Sequence, residues 1–213
     1  LGGTTMINAG LIHRTPDEML ASWAREFQIT DLNPEMMRKH HEIVEKELGV
    51  RTSDDSDNRV SRIFKEGAGR CGFRGADTPV AAEVRNGRLR KNDARMTFLR
   101  TAVERGARII ANCRAERLLV KDRNAVVVEA MVRDAAGNEH AVKISCTTVF
   151  ICAGAVQSAL LLRRSGMRRN VGNSIQFHPT LRVVAEFAEP VHAHAFLMPS
   201  FQIHEFAPEI KLG

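Results

Sequence analysis

Thr147-Thr148-Val149-Phe150-Ile151-Cys152-Ala153-Gly154-Ala155, running on into residues 156–164, is the stretch on which the fold class turns. It reads as a short, wholly apolar strand that breaks at Ala-Gly into an apolar helix. A continuous apolar run bounded by small residues is the pattern of a strand buried on both faces, as in an open α/β sheet. At such a break the helix presents free N–H groups and the positive end of its dipole, which suit an anionic cofactor group. Small residues let that group approach the main chain. The same residues equally serve a plain strand-to-helix turn in which Ala and Gly allow close packing. The stretch by itself is balanced between the two.

Upstream of it the pattern changes period. Val126, Val128, Ala130 and Val132 alternate with their neighbours, so residues 125–133 read as a strand. Residues 108–113, 116–121 and 139–145 read as extended as well, the last following a turn at Ala136-Gly137-Asn138. Short turns between strands make a meander, not a βαβ unit. Before them a helix is expected from Asp93, with Met96, Leu99 and Val103 inward and Gly106 as its stop. After the apolar helix, Ile175-Gln176-Phe177-His178-Pro179 precedes a strand-like run at 181–187, and residues 189–213 read as loop and extended chain.

Nearer the start, Thr15-Pro16-Asp17-Glu18 has the form of a capping box, with Thr15 as cap, Pro16 in the first helical position and Met19, Leu20, Trp23 and Phe27 at helical spacing. Asn33-Pro34 opens a second helix with Met36, Met37, Ile43, Val44 and Leu48 on one side, and Gly49 ends it. The two methionines read as core filler. Residues 51–58 are polar and acidic, a loop, and residues 67–75 (GAGRCGFRG) have turn character. GAGRCG matches G-x-G-x-x-G only superficially. No apolar strand precedes it and no amphipathic helix follows, so the dinucleotide reading fails.

The 213 residues are 44% hydrophobic, which excludes global disorder and allows a sizeable core. No apolar run reaches about 18 residues, so no membrane-spanning helix is expected. With 10 Phe, 1 Trp and no Tyr, the chain is poorly equipped to stack on single-stranded nucleic acid. The formal charge of +6 is concentrated between Arg59 and Arg117, where 15 Lys/Arg face 6 Asp/Glu. These are scattered arginines, which read as a solvated face or an anion-facing surface, and nucleic acid is not the expected partner. Cys71, Cys113, Cys146 and Cys152 form no C-x-x-C and read as buried thiols of a reducing compartment, giving a cytoplasmic expectation and no metal site.

Four segments in order carry a resemblance. Leu1-Gly2-Gly3-Thr4-Thr5-Met6-Ile7-Asn8-Ala9-Gly10 resembles the second flavin-contacting segment of the glucose–methanol–choline (GMC) oxidoreductases, a Gly-Gly-Ser/Thr stretch followed by Asn-Gly or Asn-Ala-Gly. Residues 102–107 with 113–117 are similar to that family's helix-to-strand passage, where the residue in the place of Ala115 reads adenine with its main chain. Ala153-Gly154-Ala155 with the helix after it resembles the last strand and helix of the FAD domain, although Ser158-Ala159 stands where the family often has Thr-Pro. Val171-Gly172-Asn173 and Gln176-Phe177-His178-Pro179 resemble the turn that leaves that domain. His204-Glu205-Phe206 places the nearest likeness with the long-chain or sterol alcohol oxidases.

The resemblance implies a mixed α/β (α+β) fold: a partial FAD-binding domain with a small β-meander and the start of a substrate domain. Its parts are residues 1–50 (flavin-contacting turn and helices), 51–92 (a variable loop region), 93–172 (helix, meander and last strand–helix) and 173–213 (start of the substrate domain). FAD is the implied cofactor, held by Gly2, Gly3, Thr5, Asn8, Ala9, Gly10, Ala115, Ala153, Gly154 and Ala155. The implied reaction takes a proton from an alcohol as hydride passes to flavin N5. The family's dinucleotide fingerprint is expected upstream of Leu1 and its catalytic histidine downstream of Gly213. The chain therefore reads as a central portion with no catalytic residue of its own, inactive alone, and His178 as a structural histidine. The alternative is a non-enzymatic binding or scaffold module that keeps part of an FAD fold, for which the basic stretch is the best support.

Overall fold

Asn33, Pro34 and Gly49 bracket a helix by local chemistry alone. In the computed structural model, which describes residues 2–52, 59–85, 88–121, 124–192, 201–207 and 210–212, the Asn33 side chain accepts from the Met36 N–H at 2.9 Å. Pro34 then starts α2 (Pro34–Leu48), and Gly49 closes it in the left-handed conformation at φ 63°. The described chain divides into two compact units, residues 1–107 with 185–213, and residues 108–184.

The first unit also contains α1 (Asp17–Phe27), α3 (Arg59–Arg70) and α4 (Phe98–Glu104). Its strands are β1 (Val50–Thr52), β2 (Gly75–Asp77), β3 (Pro79–Arg85) and β4 (Arg88–Lys91), and from the far end of the chain β8 (Phe201–Ile203). Strands β1, β3 and β4 make an antiparallel sheet centred on β3, with Val50 opposite Ala81 and Ala82 opposite Lys91. Val80 and Ala82 are buried there and Leu11 packs on them. β2 pairs with β8, bringing Phe201 and Ile203 onto Ala68 of α3, with Phe64 and Phe73 around them.

The second unit is a three-stranded antiparallel meander: β5 (Cys113–Lys121), β6 (Asn124–Arg133) and β7 (Glu139–Ser145), in that order. The turn between β6 and β7 is built by Asp134, whose carboxylate accepts from the Ala136 and Asn138 N–H groups, both at 2.9 Å. Helix α5 (Gly154–Arg164) packs on β5, and Leu118, Ala130 and Leu161 are buried. Ser165 fixes the pairing: its hydroxyl accepts the Leu118 N–H at 2.8 Å and donates to the Leu161 carbonyl at 2.7 Å.

The architecture is mixed helix and strand, as the sequence implies, but several elements differ from expectation. Residues 147–152 are not a strand, and Phe150 is 87% exposed. Residues 181–187 are likewise irregular, with Leu181 and Val183 almost fully exposed. Apolarity records a demand for burial, whereas a strand also needs a neighbour's N–H and C=O groups, and among the described residues none pairs with these segments. Residues 108–112 are irregular too, joined to β6 through the Asn112 carbonyl, which accepts from the Arg133 N–H at 3.0 Å.

Within residues 51–92 the opposite error occurs. Arg51 and Thr52 lie in β1, residues 53–58 fall outside the described set, and α3 runs straight through Gly67 and Gly69. Each of those glycines costs about 1 kcal/mol of helix propensity, and the packing of Phe64 and Ala68 against Phe201 overrides it. Pro16, not Thr15, is the N-cap residue of α1, and no side chain caps that end. Helix α4 begins at Phe98, after a turn at 94–97, and Val103 faces outward. The four cysteines are free thiols, but none is buried: Cys71 and Cys152 are exposed and the other two half-buried. No helix among the described residues is long and apolar enough to cross a membrane.

Candidate cofactor site

The Gly2–Gly10 turn opens on two successive residues in left-handed conformation, which glycine adopts most readily. Gly2 lies at φ 88° and Gly3 at φ 53°, turning the chain into a short 3₁₀ segment, Gly3–Met6. A side chain on Gly2 would strike Met6 Cγ at 2.8 Å, whereas among the described residues nothing lies within 4 Å of where a Gly3 side chain would begin. Gly3 therefore offers bare backbone to a ligand. The Thr5 hydroxyl donates to the Gly2 carbonyl, and the Asn8 carboxamide accepts from the Gly10 N–H at 3.1 Å. Thr5 and Asn8 thus hold the shape of the turn, with Ala9 exposed between Asn8 and a buried Gly10. Leu1 lies outside the described residues.

Strand β3 supports this turn from one side, the Ala81 N–H donating to the Gly10 carbonyl at 2.8 Å and the Ile12 N–H to the Pro79 carbonyl at 2.9 Å. The end of β4 and the turn after it stand against it too; the sequence put Lys91 in a variable loop region and began a helix at Asp93. Lys91 Nζ donates to the Asn8 carbonyl at 2.6 Å and to that of Met6 at 3.1 Å. The Ala94 N–H donates to the Thr5 hydroxyl at 3.1 Å. Asp93 is buried, and its carboxylate takes the Arg95 N–H at 2.8 Å and the guanidinium at 3.0 Å and 3.2 Å. The Arg95 bonds hold the Asp93 carboxyl below the usual aspartate range. Lys91, Asp93, Ala94 and Arg95 are the site-building residues the sequence did not announce. Nothing in residues 91–95 names the partner on which they act, which lies 80-odd residues earlier in the chain.

Ala115, Ala153, Gly154 and Ala155 belong to the second unit. Ala115 is half-buried on β5, opposite Ala130, beside an irregularity in register before Arg117. β5 is the edge strand of its sheet, so part of its backbone is unpaired within that sheet. Ala153 is the N-cap residue of α5, Gly154 sits at φ 83°, and all three small residues are exposed. Among the described residues no side chain caps this helix, its first turn carries no acid, and nothing lies within 4 Å of a Cβ built on Gly154. Its N–H groups and dipole are open to an anion. The Ser165–Leu118 bond ties the far end of α5 to β5 three residues along from Ala115.

Bare backbone is the form a ligand needs when it lies directly on main chain, and each unit taken by itself offers it, the first at Gly3 and the second at Gly154. A model of the GMC oxidoreductase family matches residues 1–180. The chain belongs to the GMC oxidoreductases. The N-terminal domain of that family binds FAD.

Curated relatives agree with the family. The GMC-type oxidoreductase y4nJ of Sinorhizobium fredii is 29% identical over 222 residues, covering 100% of this chain and 44% of its own length. Rv0492c of Mycobacterium tuberculosis, also a GMC-type oxidoreductase, is 27% identical over 97% of this chain and 34% of its own. The long-chain-alcohol oxidase FAO3 of Arabidopsis thaliana is 24% identical over 89% of this chain and 28% of its own. The chain therefore spans less than half the length of these relatives.

Two other motifs have structural explanations. GAGRCG ends a helix instead of beginning one: Gly72 adopts φ 71° and the Phe73 N–H returns to the Ala68 carbonyl at 2.9 Å. It thus presents the carbonyl end of α3, the wrong polarity for phosphate. His204-Glu205-Phe206 docks onto the following turn, Glu205 accepting from Arg74 Nε at 3.0 Å and Phe206 meeting Phe73 edge-on at 5.3 Å. His178 is exposed on irregular chain, so the structural role expected for it is not seen in this unit.

Proposed function

We propose that this protein uses FAD to oxidise an alcohol. The observation that carries the reading is the Gly2–Gly10 turn, with successive left-handed glycines and open space over Gly3, inside a GMC family match. Bound FAD supplies the hydride acceptor at N5 and takes up the redox change. The chain's own residues bind and orient it. Gly2 and Gly3 let the backbone lie against the cofactor, while Thr5, Asn8, Ala9 and Gly10 keep that backbone in shape. Ala153, Gly154 and Ala155 offer helix N–H groups to an anionic group, and the main chain at Ala115 is the adenine reader. The base that removes the alcohol proton is not assigned to a residue of this chain, and residues 173–213 begin the part that meets substrate. The name of the Arabidopsis relative supports an alcohol as the substrate class.

The test is direct. The full-length protein should purify with a flavin absorbance band that an alcohol bleaches under anaerobic conditions, while the 213-residue chain alone should hold little flavin and turn nothing over. A full-length protein with no affinity for FAD would overturn the reading and leave the scaffold alternative.

A further inference from the structure

We propose that Lys91 is a positioning residue for the flavin: its ammonium gathers the Met6 and Asn8 carbonyls and so holds the turn that faces the cofactor. The inference rests on the reading of Gly2–Gly10 as the flavin-facing segment. The turn has a high conformational cost, because glycines at Gly2 and Gly3 lose more backbone freedom on ordering than any other residue. The Met6 and Asn8 carbonyls lie at and beyond the end of the 3₁₀ segment, with no helical turn after them to receive them. Lys91 meets them at 3.1 Å and 2.6 Å with charge-assisted bonds, the stronger kind. The lysine is itself anchored, since its backbone pairs with Ala82 on the strand whose Ala81 N–H takes the Gly10 carbonyl.

Two residues of one short segment therefore converge on the turn, Lys91 on Met6 and Asn8 and Ala94 on Thr5, while the Asp93–Arg95 clasp shapes the segment around Ala94. Of these, Lys91 alone brings a full positive charge onto the turn's main chain. By drawing the carbonyls of residues 6 and 8 toward itself, it fixes the orientation of the peptide planes a cofactor would meet. A neutral side chain of similar length would fill the space and lose that hold.

The experiment uses the full-length protein as wild type, Lys91→Met and Lys91→Arg, with FAD as the probe. Lys91→Met is expected to weaken FAD binding by about tenfold or more, as loss of a charge-assisted bond that orders a binding segment implies. Lys91→Arg, which keeps the charge and the donors, should recover most of it. Without FAD, amide exchange should rise across residues 3–10 in Lys91→Met while α2 and β5 stay as protected as in wild type, which also shows that the variant folds. At saturating FAD the visible circular dichroism of the bound flavin should differ between Lys91→Met and wild type. Equal affinity, exchange and dichroism in Lys91→Met would overturn the proposal while leaving the cofactor reading intact. A wild type that binds no FAD would overturn both.

Discussion

The Phe201 ring lies where a side chain on Gly75 would have to be: a Cβ there would come within 2.4 Å of Phe201 Cζ and 2.5 Å of the Gln202 carbonyl. β2 and β8 pair with Gly75 opposite Ile203, so Phe201 is the diagonal neighbour and its ring folds over the bare glycine. That places Phe201 between β2 and α3, edge-on to Phe64 at 6.2 Å and under the Lys65 ammonium at 5.4 Å. The glycine is what allows residues near the far end of the chain to close this core.

Gly75→Ala should therefore destabilise the protein by about 1–3 kcal/mol, the range for overpacking, read as a lower urea midpoint. Phe201→Leu combined with it should recover only part of the loss, because the Gln202 carbonyl is main chain and cannot move aside. Full stability of Gly75→Ala would show that β8 does not sit on β2 as described.

Ser165 carries a different load. Its hydroxyl joins the Leu118 N–H on the edge strand to the end of α5. Ser165→Ala leaves that N–H without its partner, at a cost of about 1–3 kcal/mol for a part-buried donor. Amide exchange at Leu118 should accelerate, while Ala130 on the central strand stays protected. Unchanged exchange at Leu118 would count against the bond.

Asp93 sets a pH dependence with a definite sign. The Arg95 bonds depress its folded pKa below the unfolded value. Its contribution is fully present above the ordinary aspartate pKa and is lost as pH falls through the depressed folded value. The acid limb of the stability curve should flatten in Asp93→Asn relative to wild type, in a window below the usual aspartate range. Equilibrium unfolding at a series of pH values measures it, and parallel acid limbs would reject the assignment.

Gly154 distinguishes packing from cofactor binding at the turn whose sequence admitted both. Space is open around it, but φ 83° is unfavourable for any residue with a Cβ. Gly154→Ala should cost about 1–2 kcal/mol through the backbone and, if the helix end meets an anionic group, weaken FAD binding in the full-length protein beyond what stability loss explains. Affinity unchanged at equal folded fraction would favour the packing role.

Legibility in the sequence followed the range of the interactions. Asn33, Pro34 and Gly49 act within four residues of the helix ends they define, so α2 could be read almost to the residue. The alternation in β6 and the turn at Ala136–Asn138 were legible for the same reason, each being local. Helix α3 was hidden because its glycines argue against it locally and its support comes from Phe201, more than a hundred residues away. The strand expected at 147–152 failed the other way: its residues are apolar, but no described strand lies beside it.

By itself the sequence determined the family, the helix caps, the meander and the positions where glycine must supply left-handed backbone, because these depend on residue type and short spacing. Tertiary structure alone decided that Lys91 and Ala94 hold the Gly2–Gly10 turn, and that Gly75 makes room for Phe201. Those partners meet across 80 to 130 residues of chain, and no local pattern encodes which distant carbonyl a lysine will find or which ring a glycine will accommodate.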